Sequence, residues 1–113
     1  MQTNNLNPLI SIITVVYNDK FGLQRTIDSI SNLTYERIEY IVIDGGSTDG
    51  TLDIIKKNKS IIDYWVSEND NGIYHAMNKG IKISNGDWLN FMNAGDYFAN
   101  KNILNQIDFF INK

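Results

Sequence analysis

The segment from Leu9 to Tyr17, LISIITVVY, constrains the fold more than any other part of the chain. It is rich in β-branched residues and apolar on both faces. Such runs are typical of a central strand in a parallel sheet that is covered on both sides. The segment therefore predicts a sheet with helices packed against each face.

Three further strand patterns follow at intervals along the chain. They span Tyr40–Ile43, Ile62–Val66 and Asp87–Met92, and the second of these is the weakest. Helical patterns separate the strands, so the predicted order is β-α-β-α-β-α-β-α. This alternation predicts an α/β fold with a Rossmann-like, mostly parallel sheet.

Four helices are predicted from apolar spacing and capping residues. The first has the stripe Leu23, Ile27 and Ile30 after a cap at Asn18 or Asp19. The second helix is capped by Ser47 or Asp49 and includes Leu52 and Ile55. The third runs from Gly72 to Ser84, with Ile73, Met77 and Ile81 on one face and a left-handed stop at Asn85-Gly86. The fourth runs from Asn100 to Asn112, with Ile103, Leu104, Ile107 and Ile111 on its buried side.

Bulk composition narrows the class of protein. The 113 residues fit a single domain, 1–113, and the apolar content of 42% with 20% charged residues is typical of a globular chain. A net charge of −3 without a basic run argues against nucleic-acid binding, and the absence of cysteine excludes thiolate metal sites. The polar start of the chain is unlike a signal peptide, and no apolar run approaches the ~20 residues of a membrane-spanning helix. These features predict a cytoplasmic protein.

Polar residues follow each predicted strand. Asp44 ends the second strand and runs into Gly45-Gly46. Ligands of open parallel sheets bind at the carboxyl ends of the strands. The other polar residues at this edge are Tyr17, Asn18, Glu68, Asp70, Asn93 and Asp96. This set predicts a site for a sugar or nucleotide hydroxyl, or for a hard divalent cation.

Four motifs in this order resemble the amino-terminal half of a glycosyltransferase family 2 enzyme: SIITVVYN, YIVIDGGSTDGT, SENDNGIYHAMNKGI and WLNFMNAGDYF. The DNGIYHAMNKGI segment is most similar to bacterial transferases of the colanic-acid and exopolysaccharide type. The resemblance covers about Pro8 to Phe98. It implies the GT-A fold and transfer of a sugar, with inversion, from a nucleotide-diphosphate sugar such as a UDP-sugar to an acceptor hydroxyl in surface polysaccharide synthesis.

The resemblance also implies roles for individual residues. Val15 and Tyr17 would lie under the nucleotide base, and the Asp44 carboxylate would accept a hydrogen bond from it. Asp70, Gly72 and Asn78 would border the nucleotide pocket.

The NAGD segment, Asn93 to Asp96, stands where the family has its DxD-like motif. Gly95 and Asp96 would therefore lie at the diphosphate, with Asp96 holding Mg²⁺ or Mn²⁺. Asn93 and Gly95 stand in place of acids that are frequent in that motif, so a single carboxylate remains.

Family members continue into an acceptor half that carries the general base, which is therefore expected beyond Lys113. The chain is interpreted as the donor-binding portion, with a saccharide or lipid-linked saccharide as acceptor and a place at the inner face of the cytoplasmic membrane. An alternative is a non-catalytic module that binds a nucleotide sugar or a partner. A sheet edge and apolar patches left uncovered by truncation would favour a homodimer.

Several other interpretations follow from the pattern. An NAD-linked oxidoreductase is disfavoured because no G-x-G-x-x-G follows the first strand. His75 is interpreted as a surface or packing residue of a helix, and Lys79 as a solvated helix residue. Four residues are predicted to be core: Trp65, Met77, Trp88 and Met92. Asp70 with Asn71-Gly72 is equally compatible with an ordinary turn.

Overall fold

The computed structural model describes residues 7–104 and confirms the predicted α/β class. Within this range four parallel strands form one sheet in the order β3-β2-β1-β4. The elements along the chain are β1 (Ile10–Val16), α1 (Lys20–Ser31), β2 (Ile38–Asp44), α2 (Thr51–Lys57), β3 (Tyr64–Ser67), α3 (Ile73–Ile83) and β4 (Trp88–Phe91).

Strand β1 lies inside the sheet, as its two apolar faces predict. All seven of its residues are buried, and it pairs with β2 on one side and β4 on the other. One face packs against α1 and α2 through a cluster that includes Ile12, Leu23 and Ile55. The opposite face packs against α3 through a cluster that includes Ile13 and Ala76. Helices therefore cover both faces, which leaves the ends of the strands as the open edges of the domain.

Helix α1 begins as the sequence predicts. Asp19 is its N-cap, and the Asp19 carboxylate accepts a hydrogen bond from the Gly22 N–H at 3.0 Å. The predicted stripe Leu23, Ile27 and Ile30 is buried.

Helix α2 begins differently from the prediction. Gly50, with φ of 103°, occupies the N-cap position and contributes no side chain. Asp49 instead accepts from the N–H of Thr51, the first helical residue, at 3.0 Å. Ser47 bonds elsewhere, as described below.

Helix α3 exists where it was predicted, but it buries a different face from the isoleucine repeat. Ala76 and Gly80 are its buried residues, while Ile73 and Ile81 are 47% and 42% exposed. A Cβ on Gly80 would lie 2.5 Å from Ile13 Cγ2, so small residues allow the helix to approach the sheet closely. Close approach, rather than side-chain bulk, selects the buried face.

The predicted left-handed stop at Asn85-Gly86 is wrong. The helix ends at Ile83, its C-cap Ser84 is extended, and Gly86 is not among the residues with positive φ. A Cβ on Gly86 would lie 2.4 Å from Ser11 Oγ and 2.7 Å from Ser11 N. Glycine is required there because the chain passes against β1.

The core predictions hold only in part. Met92 is buried, and Trp65 and Met77 are partly buried against the two clusters. The prediction for Trp88 is wrong: its side chain is 51% exposed, because β4 lies at the edge of the described sheet. Of the last predicted helix, Leu104 is buried, whereas Ile107 and Ile111 lie outside the described residues.

Candidate functional site

A cleft of about 580 Å³ opens at the carboxyl edge of the sheet. The ends of β1, β2 and β4, the loop after β3 and the first turn of α3 surround it. Its lining residues are Val15, Val16, Tyr17, Asp19, Gly45, Asn69, Asp70, Gly72, Ile73, Ala76, Asn93 and Ala94. The position agrees with the rule that ligands of open parallel sheets bind at this edge.

Asp44 lies beneath this cleft rather than on its wall. The residue is fully buried, and its carboxylate accepts hydrogen bonds from the Ser47 N–H at 3.0 Å, the Ser47 hydroxyl and the Ser67 hydroxyl at 2.7 Å. These three donors compensate the desolvation of the carboxylate. Asp44 therefore holds the loop after β2 against the end of β3.

The loop after β2 is also tied to the loop after β1. The Ser47 hydroxyl accepts from the Asn18 N–H at 2.7 Å, and the Asn18 side chain accepts from the Thr48 N–H at 2.7 Å. Asn18 has a left-handed φ of 50°. The GGSTDGT segment, which forms the loop after β2, is thus hydrogen-bonded to the loop after β1 at the same edge of the sheet.

Asp49, in the same segment, joins the starts of helices α1 and α2. Its carboxylate accepts from the Lys20 N–H of α1 at 3.1 Å and from the Thr51 N–H of α2 at 3.0 Å. Hydrogen bonds from the Thr51 hydroxyl and from these backbone N–H groups hold the pKa of Asp49 below its ordinary value. Ser47 and Asp49 thus connect separate loops and helix starts, and the periodicity of the sequence does not reveal such contacts.

Asp70 presents its carboxylate in the cleft. A Cβ on Gly45 would lie 3.0 Å from Asp70 Oδ2, so this carboxylate lies directly over the bare Cα of Gly45. The other oxygen, Oδ1, accepts from the Gly72 N–H at 3.0 Å. Asp70 thus forms a turn with Gly72 and also lines the cleft, while its role toward a nucleotide stays a prediction.

The NAGD turn is held against α1 by the buried Thr26. The Thr26 hydroxyl donates to the Asp96 carbonyl at 2.6 Å and accepts from the Gly95 N–H at 3.0 Å. The exposed Asp96 carboxylate accepts from the Asn93 N–H at 3.0 Å. Gly95 takes a φ of 101°, which favours glycine at that position.

The NAGD turn offers too few side-chain oxygen atoms to hold a cation by itself, so a bound ligand would have to supply further oxygen atoms. Within residues 7–104, no group of three His, Asp or Glu side chains is arranged to hold a metal ion. Mg²⁺ is commonly held by one or two carboxylates together with substrate phosphates and waters. A single carboxylate at Asp96 fits that kind of site.

Two polar residues of α3 differ from a simple surface role. His75 is exposed, and its Nδ1 accepts from the Asn71 N–H at 2.9 Å, so it ties the loop before α3 to the helix. The interpretation of Lys79 as a solvated residue is wrong: its Nζ is buried and lies 3.2 Å from Glu68 Oε1.

Sequence reasoning located part of the cleft. Four predicted site residues line it together, namely Val15, Tyr17, Asp70 and Gly72. Four others are not among its lining residues: Asp44 lies below it, Gly95 and Asp96 lie in the NAGD turn, and Asn78 is exposed on α3. Asp19 and Asn69 line the cleft but were not proposed as site residues. Both follow a strand end, so the strand-end rule could have included them.

Comparison with known proteins identifies the family of the chain. Residues 11–113 match the family described as Glycosyl transferase family 2. The chain belongs to this family. It spans between 36% and 43% of the length of the curated relatives that it matches.

One relative has a specific named activity. The chain is 38% identical over 102 residues to an Escherichia coli protein, UDP-Glc:alpha-D-GlcNAc-diphosphoundecaprenol beta-1,3-glucosyltransferase WfaP. The match covers 89% of this chain and 41% of that protein.

Solved structures of glycosyltransferases share the fold. The S. aureus protein TarS, residues 1–349, solved in complex with UDP-GlcNAc, matches with a TM-score of 0.81 and 26% identity over 90% of this chain and 30% of that chain. The mannosyltransferase PcManGT from Pyrobaculum calidifontis, solved with GDP-Man and Mn²⁺, matches with a TM-score of 0.83 and 21% identity over 92% of this chain and 32% of that chain. These structural neighbours confirm the GT-A type of fold.

No helix in the part of the chain that the structure describes is both long and apolar enough to cross a membrane.

Proposed function

We propose that this chain is the donor-binding part of an inverting glycosyltransferase, which transfers a sugar from a nucleotide-diphosphate sugar to an acceptor hydroxyl. The observation that carries the proposal is the cleft at the carboxyl edge of the sheet, lined by Asp70, Gly72 and Tyr17, in a chain of glycosyl transferase family 2. A UDP-sugar is the proposed donor, supported by the names of WfaP and of the TarS complex.

The base of the nucleotide is proposed to lie between the end of β1 and Asp70. Val15 supplies an apolar floor, and the exposed ring of Tyr17 lies at the same strand end. The Asp70 carboxylate over Gly45 can accept a hydrogen bond from a base N–H such as that of uracil.

Asp44 was expected to contact the base directly. Its buried carboxylate already accepts from Ser47 and Ser67, so we propose that it supports the base site by holding the Gly45 loop below Asp70. Asn78, exposed on α3 outside the cleft, has no contact here that adds to the base site.

The diphosphate is proposed to lie between the start of α3 and the NAGD turn. Gly72 and Ile73 line the cleft where α3 begins, and no side chain caps this helix end. The positive end of the helix dipole favours a negative group at that position. Asp96, with Gly95 allowing the turn, would hold Mg²⁺ or Mn²⁺ with the diphosphate.

The proposed chemistry is a single in-line displacement. The acceptor oxygen would attack the anomeric carbon while the bond from that carbon to the diphosphate oxygen breaks, which inverts the configuration. A bound divalent cation would supply neutralisation of the charge on the leaving diphosphate. We assign the base that takes the acceptor proton outside the described residues. His75 is not among the residues that line the cleft, and its Nδ1 accepts from the Asn71 N–H.

The proposed pathway context is surface polysaccharide synthesis at the inner face of the cytoplasmic membrane, with a lipid-linked saccharide as acceptor. The name of WfaP, with its diphosphoundecaprenol acceptor, supports this context. The homodimer stays a prediction, supported by the exposure of Trp88, Leu89 and Phe91 on the edge strand β4. Sedimentation velocity tests it, and a monomer at all concentrations would contradict it.

Thermal stabilisation by nucleotides tests the proposed donor class. Unfolding temperatures would be measured with UDP, GDP, dTDP and AMP, each with Mg²⁺, Mn²⁺ or EDTA. Because a ligand that binds only the folded state raises the unfolding temperature, we expect a rise with at least one nucleoside diphosphate that requires the cation. Equal behaviour of all four nucleotides, with or without cation, would contradict the proposal.

A further inference from the structure

The Nζ of Lys79 is an unusual group in this fold. Among the residues that the structure describes, it is the only buried side-chain nitrogen or oxygen without a hydrogen-bond partner of good geometry. Its charge is compensated by one ion pair, to Glu68 Oε1 at 3.2 Å, and the Glu68 side chain is 57% exposed. Removing an ammonium group from water is costly, and a single partner that remains exposed compensates it poorly.

The position of Glu68 indicates what this pair does. Glu68 directly follows β3, and its backbone N–H donates to the Asp44 carbonyl at 3.1 Å. The next two residues, Asn69 and Asp70, line the cleft. Lys79 therefore reaches from the buried side of α3 to the first residue of the loop that carries the cleft wall.

The same loop is tied to α3 at its other end. His75 Nδ1 accepts from the Asn71 N–H at 2.9 Å. Between these two ties lies the Asp70 carboxylate, which is placed over Gly45 and whose Oδ1 accepts from the N–H of Gly72, the N-cap of α3, at 3.0 Å. Helix α3 thus contacts the loop at both ends, through Lys79 at Glu68 and through His75 at Asn71, in addition to the backbone bond from Glu68 to Asp44.

We infer that Lys79 is a positioning residue, which holds the loop from Glu68 to Gly72, and with it Asp70, in the conformation that binds the donor nucleotide. The inference rests on the proposed function for its consequence in binding. Its structural consequence, the order of the loop, is independent of any ligand. A buried ammonium retained at a cost to stability is then explained by its effect on the cleft.

Stability and binding should respond differently to replacement of Lys79. In Lys79→Met the apolar chain fills the same space and no buried charge is left, because Glu68 remains hydrated. Such replacements of buried charges are often neutral or stabilising. The loop loses its tie, however, and if the competent conformation falls to about a tenth of the population the apparent affinity falls about tenfold.

The experiment compares Lys79→Met, Lys79→Arg and the control Lys82→Met, which removes the same charge from an exposed position one turn further along α3. Three quantities are measured: the urea unfolding midpoint, the Kd for UDP with Mn²⁺, and amide hydrogen exchange of residues 68–72 without ligand. For Lys79→Met we expect an unchanged or higher midpoint, an approximately tenfold weaker Kd and faster exchange in the loop. Lys79→Arg should restore most of the affinity, and Lys82→Met should match the wild type.

Two results would overturn the inference. One is unchanged loop exchange in Lys79→Met, and the other is a fall of its unfolding midpoint that accounts for the weaker binding, which would make Lys79 an ordinary structural residue. If the wild-type chain binds none of UDP, GDP and dTDP, the proposed function fails. The exchange measurement on the free protein then decides the inference by itself.

Discussion

The Asp70 carboxylate lies over the Cα of Gly45, where a Cβ atom would come within 3.0 Å of Asp70 Oδ2. The two residues are 25 positions apart and belong to loops that follow β2 and β3. A glycine at the end of a buried strand therefore makes room for a carboxylate supplied by the next loop.

Gly45→Ala should weaken nucleotide binding with little loss of stability. Gly45 has no positive φ, so alanine is compatible with its backbone, and the atom that must move belongs to a side chain. We expect the Kd for UDP to rise about fivefold or more, while the free energy of unfolding changes by less than about 1 kcal/mol. Calorimetry and urea unfolding measure the two effects.

The adjacent Gly46→Ala is the matched control. Its φ of 89° and the Asn69 side chain at 2.3 Å from a Cβ make alanine strained there, so we expect a loss of about 1–2 kcal/mol in stability. Equal stability losses at positions 45 and 46 would contradict this account of the Gly-Gly pair.

Asp44→Ala should destabilise the fold. The change removes the acceptor shared by the Ser47 N–H and the two hydroxyls of Ser47 and Ser67, and leaves these partly buried donors unpaired. We expect a loss of about 3 kcal/mol in the free energy of unfolding. An Asp44→Ala protein with wild-type stability but no UDP binding would instead assign Asp44 to direct base contact.

Glu39 should give the fold a stability that depends on acid pH. Burial raises the pKa of Glu39, but hydrogen bonds from the Asn85 backbone and side chain and from the Ser11 hydroxyl outweigh it and hold the pKa below 4.5. Because folding favours the ionised form, this contribution is complete above pH 4.5 and is lost as the pH falls through the folded-state pKa.

Unfolding of the wild type and Glu39→Gln from pH 7 to pH 3 tests this. The stability difference between them should be constant near neutral pH and shrink below about pH 4.5. A difference that stays constant down to pH 3 would show that the Glu39 charge does not stabilise the fold.

Gly86→Ala should destabilise the protein strongly. A Cβ there would meet Ser11 N at 2.7 Å and the Leu9 carbonyl at 2.9 Å, and backbone atoms in the sheet cannot move away easily. We expect a loss of about 2–3 kcal/mol. Gly22→Ala, whose Cβ would meet the Asp19 side chain rather than backbone atoms, should cost clearly less, and chemical denaturation of both variants would reveal the reverse order if it occurred.

The fold was predictable because its signals are local. The apolar faces of β1 and the Asp19 cap with the Leu23, Ile27, Ile30 stripe each lie within one element. The buried face of α3 was not predictable in this way. Ala76 and Gly80 are buried because the helix approaches Ile13 closely, and that distance is set by a strand more than 60 residues earlier.

The candidate site shows the same division. The strand-end rule located Tyr17 and Asp70, since position at the carboxyl edge is a property of each strand. The partners of Asp44 and Lys79 depend on contacts between elements, to Ser67 and to Glu68. Sequence pattern therefore indicated where polar groups gather, but not which carboxylate is buried and which faces the cleft.

Calorimetric titration of UDP, with and without Mn²⁺, against the wild type, Asp70→Asn and Glu36→Gln tests the central claim most directly. Glu36 is exposed just before β2, at the opposite edge of the sheet, so its variant controls for loss of one negative charge. The account predicts cation-dependent binding by the wild type and Glu36→Gln, weakened at least tenfold in Asp70→Asn. A folded wild type that does not bind UDP, GDP or dTDP, or an Asp70→Asn variant that binds like the wild type, would contradict it.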